Sequence, residues 1–332
     1  MEPNKQETLI SYYFSGLEKV DHHNYHGAIQ DFNKVIEIDP QNLQAYYQRG
    51  DAKFYTEDFY GAIDDCTKII EIEADNLDAY FLRGLSKESL KDFHGAIQDY
   101  TKFIETNDFT YTPFEAYGMI DDDAYYYRGI AKMGIGDYKG AIEDFSKIEI
   151  GYTSCYCKRG LAKAKIEDYK GAIQDYNKAI ENDSQDYDAY FWRGMSKINI
   201  GDYNGAIQDF NYAIDIDPRR AETYHGRGLA KAKIEDYKGA MQDYNKAIEI
   251  NPQFSSAYFS RAEAKEFFND YRGAIKDFDK AIEIDPKYAE AYFGRGSTKQ
   301  KLRNKEGACL DWSKAGELGL INAYELIKVY CK

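Results

Sequence analysis

Residues Tyr187 to Arg220 read YDAYFWRGMSKINIGDYNGAIQDFNYAIDIDPRR. Numbered from 1 to 34, this stretch has tyrosine at position 4 (Tyr190), arginine at 7 (Arg193), glycine at 8 (Gly194) and lysine at 11 (Lys197). Aspartate follows at 16 (Asp202), a Gly-Ala pair at 19 and 20 (Gly205, Ala206), aspartate at 23 (Asp209), phenylalanine at 24 (Phe210) and proline at 32 (Pro218). Positions 4, 8 and 11 share one face of a helix, and positions 20, 24 and 27 share one face of a second. An aspartate at 16 suits the N-cap of that second helix. Glycine at 8 and alanine at 20 let the two helix axes approach closely. Pro218 cannot continue the second helix and breaks the chain. The stretch is a helix–turn–helix with an apolar face that it cannot bury alone.

The same text recurs along the chain. The Gly-Ala pair stands at Gly27, Gly61, Gly95, Gly140, Gly171, Gly205, Gly239, Gly273 and Gly307. Its spacing is 34 residues throughout, except for 45 before Gly140 and 31 after it. Nine copies therefore occupy residues 9–320. Position 4 is tyrosine, position 11 lysine, position 20 alanine and position 23 aspartate in all nine, and position 24 is aromatic in all but the second, which has Cys66. Stacked units of this kind share one continuous core, so 332 residues need not mean two globular domains. Segment 321–332 carries one apolar face (Ala323, Leu326, Ile327, Tyr330) and reads as a helix capping the ninth pair. Arg159–Glu181 and Arg227–Glu249 differ only at Ile173 versus Met241, the trace of a duplicated two-copy block.

The period and the residue types at positions 4, 8, 17, 20, 24 and 32 resemble the tetratricopeptide-repeat family, over nearly the whole chain. In the sixth copy these are Tyr190, Gly194, Tyr203, Ala206, Phe210 and Pro218. The chain departs from the family at position 7, arginine in eight copies where leucine is usual, and at position 11, lysine where an aromatic is usual. The resemblance implies an all-α, right-handed superhelical solenoid whose first helices line a concave groove, and a binding or scaffolding role without catalysis or cofactor.

A net charge of −14 repels a phosphate backbone or an anionic bilayer, so neither nucleic acid nor membrane is an expected partner. The N-terminus shows no secretion signal, and no apolar run is long enough to span a bilayer. Five cysteines in this length make no disulfide framework, so reduced thiols and a cytoplasmic location are expected. No phosphate-binding loop, dinucleotide fingerprint, zinc-protease motif or nucleophile elbow occurs, and His22, His23 and His26 beside Asp21 read as a solvated turn rather than a metal site.

In the family, positions 2, 5, 9, 12 and 13 face the groove. Position 5 here includes Tyr47, Phe81, Tyr126, Phe191, Phe259 and Phe293; Trp192 lies beside Phe191, and position 2 supplies Asp188 and Glu222. Such a floor with acidic edges fits a protein or peptide partner carrying apolar or aromatic anchors flanked by lysine or arginine; the other reading is that winding buries part of the stripe. The lysine and asparagines with which some chaperone-binding relatives hold a terminal carboxylate are missing. The extra residues within Thr106–Asp123 carry Phe109, Tyr111, Phe114 and Tyr117, either a binding loop or a packing patch. Self-association and service as a regulatory subunit are the rival roles.

The arginine at position 7 is absent only from the first copy, where Ser15 stands and no copy precedes. A buried arginine needs a carboxylate. The expectation is that each arginine pairs with position 23 of the preceding copy: Arg49 with Asp31, Arg193 with Asp175, Arg261 with Asp243. The lysine at 11 is expected to pair within its own copy.

Overall fold

The computed structural model describes residues 3–106, 121–148 and 153–331. Two compact units divide the chain, Met1–Glu167 and Asp168–Lys332. The first holds α1 (Pro3–Asp21), α2 (Tyr25–Ile38), α3 (Leu43–Tyr55), α4 (Phe59–Ile72), α5 (Leu77–Ser89), α6 (Phe93–Thr106), α7 (Asp121–Gly134), α8 (Tyr138–Phe145) and α9 (Thr153–Lys165). The second holds α10 (Tyr169–Asn182), α11 (Tyr187–Asn199), α12 (Tyr203–Ile216), α13 (Ala221–Lys233), α14 (Tyr237–Ile250), α15 (Ser255–Phe267), α16 (Tyr271–Ile284), α17 (Ala289–Lys301), α18 (Lys305–Glu317) and α19 (Asn322–Tyr330). Within each unit consecutive helices pack on one another, and no strand occurs among the described residues. The chain is an all-α solenoid of helix–turn–helix repeats. Residues 107–120 lie outside the described residues, and with them the expectation for Phe109, Tyr111, Phe114 and Tyr117.

The repeat residues act as their chemistry requires. In all nine copies the position-16 side chain accepts a hydrogen bond from the position-19 amide, as Asp202 Oδ1 does from Gly205 at 2.9 Å. The cap carboxylate then lies against the glycine Cα, and a methyl group there would collide with it. That is why glycine recurs at position 19. At position 8 the constraint is the aromatic at 24: a Cβ on Gly84 would fall 2.6 Å from the Tyr100 ring. The position-24 rings and position-20 alanines are the core, with Phe32, Tyr100, Tyr176, Phe210, Phe278 and Ala206 all at 0% exposure. Asp39, Asp217, Asn251 and Asp285 end their helices in extended conformation, as residues before proline must.

The arginine ladder forms, but not in the expected pairing. Arg49 holds Asp65, Arg193 holds Asp209 and Arg261 holds Asp277, each through Nε and Nη2 within its own copy. Arg193, for example, is 2.9 and 2.6 Å from the two oxygens of Asp209. The pairings Arg49–Asp31, Arg193–Asp175 and Arg261–Asp243 are therefore corrected: position 7 lies opposite position 23 of the partner helix in the same pair. The lysine at 11 completes the buried carboxylate's shell, as expected, with Lys197 Nζ 2.8 Å from Asp209. Each arginine also lies over the position-4 tyrosine of its own helix, 5.3 Å from the Tyr190 ring centre in the case of Arg193.

The remaining nitrogen, Nη1, reaches back to position 25 of the copy before: Arg49 to Asn33, Arg83 to Thr67, Arg193 to Asn177, Arg295 to Asp279. In the first copy Ser15 stands in the arginine's place, and its hydroxyl donates to Asp31 at 2.6 Å beside Lys19.

The final helix α19 packs on α18 as a cap, with Ala323 buried beside Trp312. It also brings Cys331 back to Cys309, and the two form a disulfide with Cα atoms 5.7 Å apart. This corrects the expectation of five reduced thiols. Residues 22 apart in sequence meet because the helix pair folds back on itself, which no count of cysteines reveals. Cys66 and Cys155 are buried thiols and Cys157 is a half-buried one.

Candidate partner-binding groove

The position-5 rings rest on the core rather than standing in solvent. Phe191 meets Phe210 at 6.0 Å, Phe259 meets Phe278 at 5.7 Å, and Tyr126 meets Phe145 at 6.0 Å, each pair within one copy. Phe81 is buried outright, while Tyr47, Tyr126, Phe191, Trp192, Phe259 and Phe293 are half-buried. Trp192 stands edge-on to Phe191. Asp188 and Glu222 are exposed. The stripe is thus a half-sunken floor with charged edges, and the partial burial weighed as the other reading is real.

In the first unit this floor opens into two cavities. One, of about 420 Å³, lies between the first helices α3, α5 and α7. Phe54, Phe81, Leu85 and Tyr127 wall it, and Asp51 and Glu88 supply carboxylates. Its ten lining residues include no lysine, arginine or histidine. Asp51 is 6% exposed. Burial pushes the Glu88 carboxyl above the usual glutamate range, against the opposing effect of the Tyr100 hydroxyl, which donates to it at 3.1 Å. The other cavity, about 470 Å³, lies beside Tyr13 and Tyr47 and is edged by Glu73, Asp75 and Asp78, again with no basic residue. Burial and then Glu73 raise the Asp78 carboxyl.

In the second unit the corresponding face carries its own cations. Glu263 and Glu266 occupy positions 9 and 12 of the eighth copy. Glu266 accepts from Thr298 Oγ1 at 2.6 Å and lies 3.3 Å from Lys301 Nζ. Glu263 is raised by burial and by Glu266, and Lys233 pulls it back down. His225 at position 5 packs against Phe254 and Tyr244 with Nε2 3.0 Å from Ser260 Oγ, and burial depresses it to about 4.

Positions 12 and 13 were the part that sequence reading left unnamed. Phe54, Glu88, Glu266 and Lys301 stand there, but the residue changes from copy to copy, so no repeated letter marks them. Tyr127, at position 6, reaches the first cavity only because α7 packs beside α5. Among the described residues no group of three histidine, cysteine or acidic side chains is placed to hold a metal ion, and no helix is long and apolar enough to cross a membrane.

Helix pairs repeated on one template, with an inner face that varies on a constant core, define a protein-interaction scaffold. Tetratricopeptide-repeat models match residues 10–42, 77–108, 157–221 and 221–254, and a TPR-repeat model matches 269–302, together more than half of the chain. The chain belongs to the tetratricopeptide-repeat family. A tetratricopeptide repeat protein from Parabacteroides merdae is similar in structure, with 18% identity, 77% of this chain and 99% of that one covered, and a TM-score of 0.62. The Cut9–Hcn1 hetero-tetramer of the APC/C is similar at 13% identity, with 97% and 76% covered and a TM-score of 0.58. YrrB, described as a TPR protein with an unusual peptide-binding site, is 24% identical, with 58% and 95% covered and a TM-score of 0.48. No curated protein sequence matches the chain.

Proposed function

We propose that this chain is a non-catalytic adaptor that holds a protein or peptide partner along the first-helix face, gripping apolar or aromatic anchors flanked by lysine or arginine. One observation carries the reading. Two cavities of the first unit open among groove positions and are edged by carboxylates, and none of their described lining residues is basic. The aromatic floor supplies contact area and the carboxylates supply the sign of the charge; such complementarity governs association rate and selectivity more than affinity. The sites are Tyr47, Phe81 and Tyr126 in the first unit, and Phe191, Trp192, Phe259 and Phe293 with Asp188 and Glu222 in the second. The expected cytoplasmic location belongs to the same proposal. The thiols of Cys66, Cys155 and Cys157 accord with it, and the Cys309–Cys331 bond stands against it.

Selection of binders to the full chain from a random peptide library tests the reading. Enriched sequences should pair an aromatic or large aliphatic residue with lysine or arginine, and their affinity should fall as salt rises. Selected peptides that are indifferent to salt and to the Phe191→Ala, Trp192→Ala and Phe259→Ala changes would overturn it. A self-associating scaffold is the second reading, favoured by Ile321, Val329 and Leu310, all more than two-thirds exposed at the capped end. Light scattering across a concentration series decides that question.

A further inference from the structure

We propose that the Cys309–Cys331 bond is a redox latch on the capping helix: a dithiol reductant opens it, α19 comes away from α18, and the apolar face around Trp312 is uncovered. The latch is independent of what the groove holds. Position 21, directly after the Gly-Ala pair, is isoleucine in seven copies, Met241 in another and Cys309 in the ninth. The cysteine thus stands in the copy that α19 covers, and α19 is followed at once by Cys331. Apart from that bond α19 is weakly held. It is 9 residues long, Ala323 is its one buried residue, and Ile321 before it gives no side-chain cap. Helices shorter than about 12–15 residues are marginal on their own. Each of the eight joints between copies is tied by an arginine Nη1 bond to the copy before. α19 contains no arginine, so that tie cannot form from it to α18, and the disulfide stands in its place.

What α19 covers is a stacking face. In the third copy the position-24 ring, Tyr100, packs with Ala124 and Tyr127 of the next first helix. In the ninth, Trp312 packs with Ala323, Leu326 and Ile327, and the Tyr330 ring lies 5.8 Å away. Opening the latch takes one dithiol. Its thiolate attacks one sulfur, a mixed disulfide forms, and its second thiol displaces the chain. The reductant ends as a disulfide, and Cys309 and Cys331 each end as a thiol with one added hydrogen. Both are half-buried, so a small dithiol in solvent reaches the bond. Cys66 is fully buried with its thiol raised by burial and takes no part in the exchange. Cytosolic disulfides are usually transient and catalytic or redox-sensing, so a latch reconciles this bond with the thiols elsewhere in the chain.

The test uses the full chain carrying Trp192→Phe, which leaves Trp312 as the sole tryptophan. Dithiothreitol is the dithiol, and two signals are followed: acrylamide quenching of Trp312 and amide hydrogen exchange in α19. The bond spans 22 residues, and a ring of that size restricts the detached helix, so exchange in α19 should quicken on the order of a hundredfold on reduction. Trp312 should become more strongly quenched, exchange in α1–α17 should stay as it was, and reoxidation should reverse both signals. Cys331→Ser and Cys309→Ala should each behave as the reduced chain with or without dithiothreitol. A bond that dithiothreitol opens only in urea, unchanged exchange in α19 on reduction, or cysteine variants that match the oxidised chain would each overturn the proposal. So would loss of helicity throughout the reduced chain, measured by circular dichroism, because the bond would then be a structural staple.

Discussion

The two units share a template and differ in what stands on it. In both, the ladder arginine grips the buried aspartate through the same two nitrogens at distances that agree to within a tenth of an ångström, as Arg83–Asp99 and Arg227–Asp243 show. On the inner face the resemblance ends. The first unit sets Asp51 and Glu88 among the aromatic walls of a cavity, and the second sets Glu266 3.3 Å from Lys301 and Glu263 under the influence of Lys233. The positions that hold helices together are uniform, and the positions that could meet a partner are individual. A repeat protein separates stability from specificity in this way, residue by residue.

The uniform part should yield the largest effects, equal in both units. Arg83→Ala and Arg193→Ala each leave a nearly buried aspartate without its bidentate partner, and each should cost about 3–5 kcal/mol in urea denaturation. Lys280→Ala, on an exposed ion pair screened by solvent, should shift the urea midpoint little if at all. A loss at Arg193 as small as that at Lys280 would show the ladder to be decorative.

Acid should separate the units. His225 is buried neutral, with its pKa depressed to about 4, so the unfolded chain takes up a proton first as pH falls. Its contribution is complete above about 6.5 and is lost as pH drops toward 4, a loss on the order of 3 kcal/mol. Glu88 in the first unit is raised by burial and has the opposite sign: its contribution is present below the ordinary glutamate value and disappears as pH rises through the shifted one. Glu263 shares that direction, so the informative quantity is the stability difference between wild type and His225→Gln across pH 4–7. A flat difference would remove His225 from the account.

The smallest effect belongs to the turn between helices. Position 15 is left-handed in every copy, and glycine occupies it only at Gly136 and Gly201. Glu235→Gly should therefore stabilise by about 0.5–1 kcal/mol, relief of strain outweighing the entropy that glycine adds to the unfolded chain. Thermal denaturation alongside Gly201→Glu, which should move the other way, checks the sign.

The fold was legible because period-34 spacing and helical periodicity are local, and Tyr190, Gly194, Ala206 and Phe210 announce it in a single copy. The ladder was half legible. That a buried arginine needs the position-23 aspartate was readable, but the absence of arginine at Ser15 pointed to the wrong copy. The carboxylate that binds was misassigned, because whether position 7 meets the helix of its own pair or of the one before depends on packing angle, not on spacing. The aromatic floor could be listed from sequence, but the sinking of Phe81 and Phe191 onto Tyr100 and Phe210 follows from three-dimensional closeness. The cavity was not legible at all: Asp51, Glu88 and Tyr127 come from three copies and share no pattern.

The backward reach of each arginine also grades the chain chemically. At every joint one Nη1 bond ties a copy to its predecessor, and only the acceptor changes. In the first unit three of the four acceptors are hydroxyls, Thr67, Thr101 and Ser146, at 3.1 to 3.3 Å. In the second they are Asn177, Asn211 and Asn245 at 2.7 Å and Asp279 at 2.6 Å. The same guanidinium nitrogen thus meets a rotatable hydroxyl at three joints of the first unit and a planar amide or carboxylate oxygen at each of these four, so position 25, which no repeated letter marks, decides the chemistry of the tie between copies.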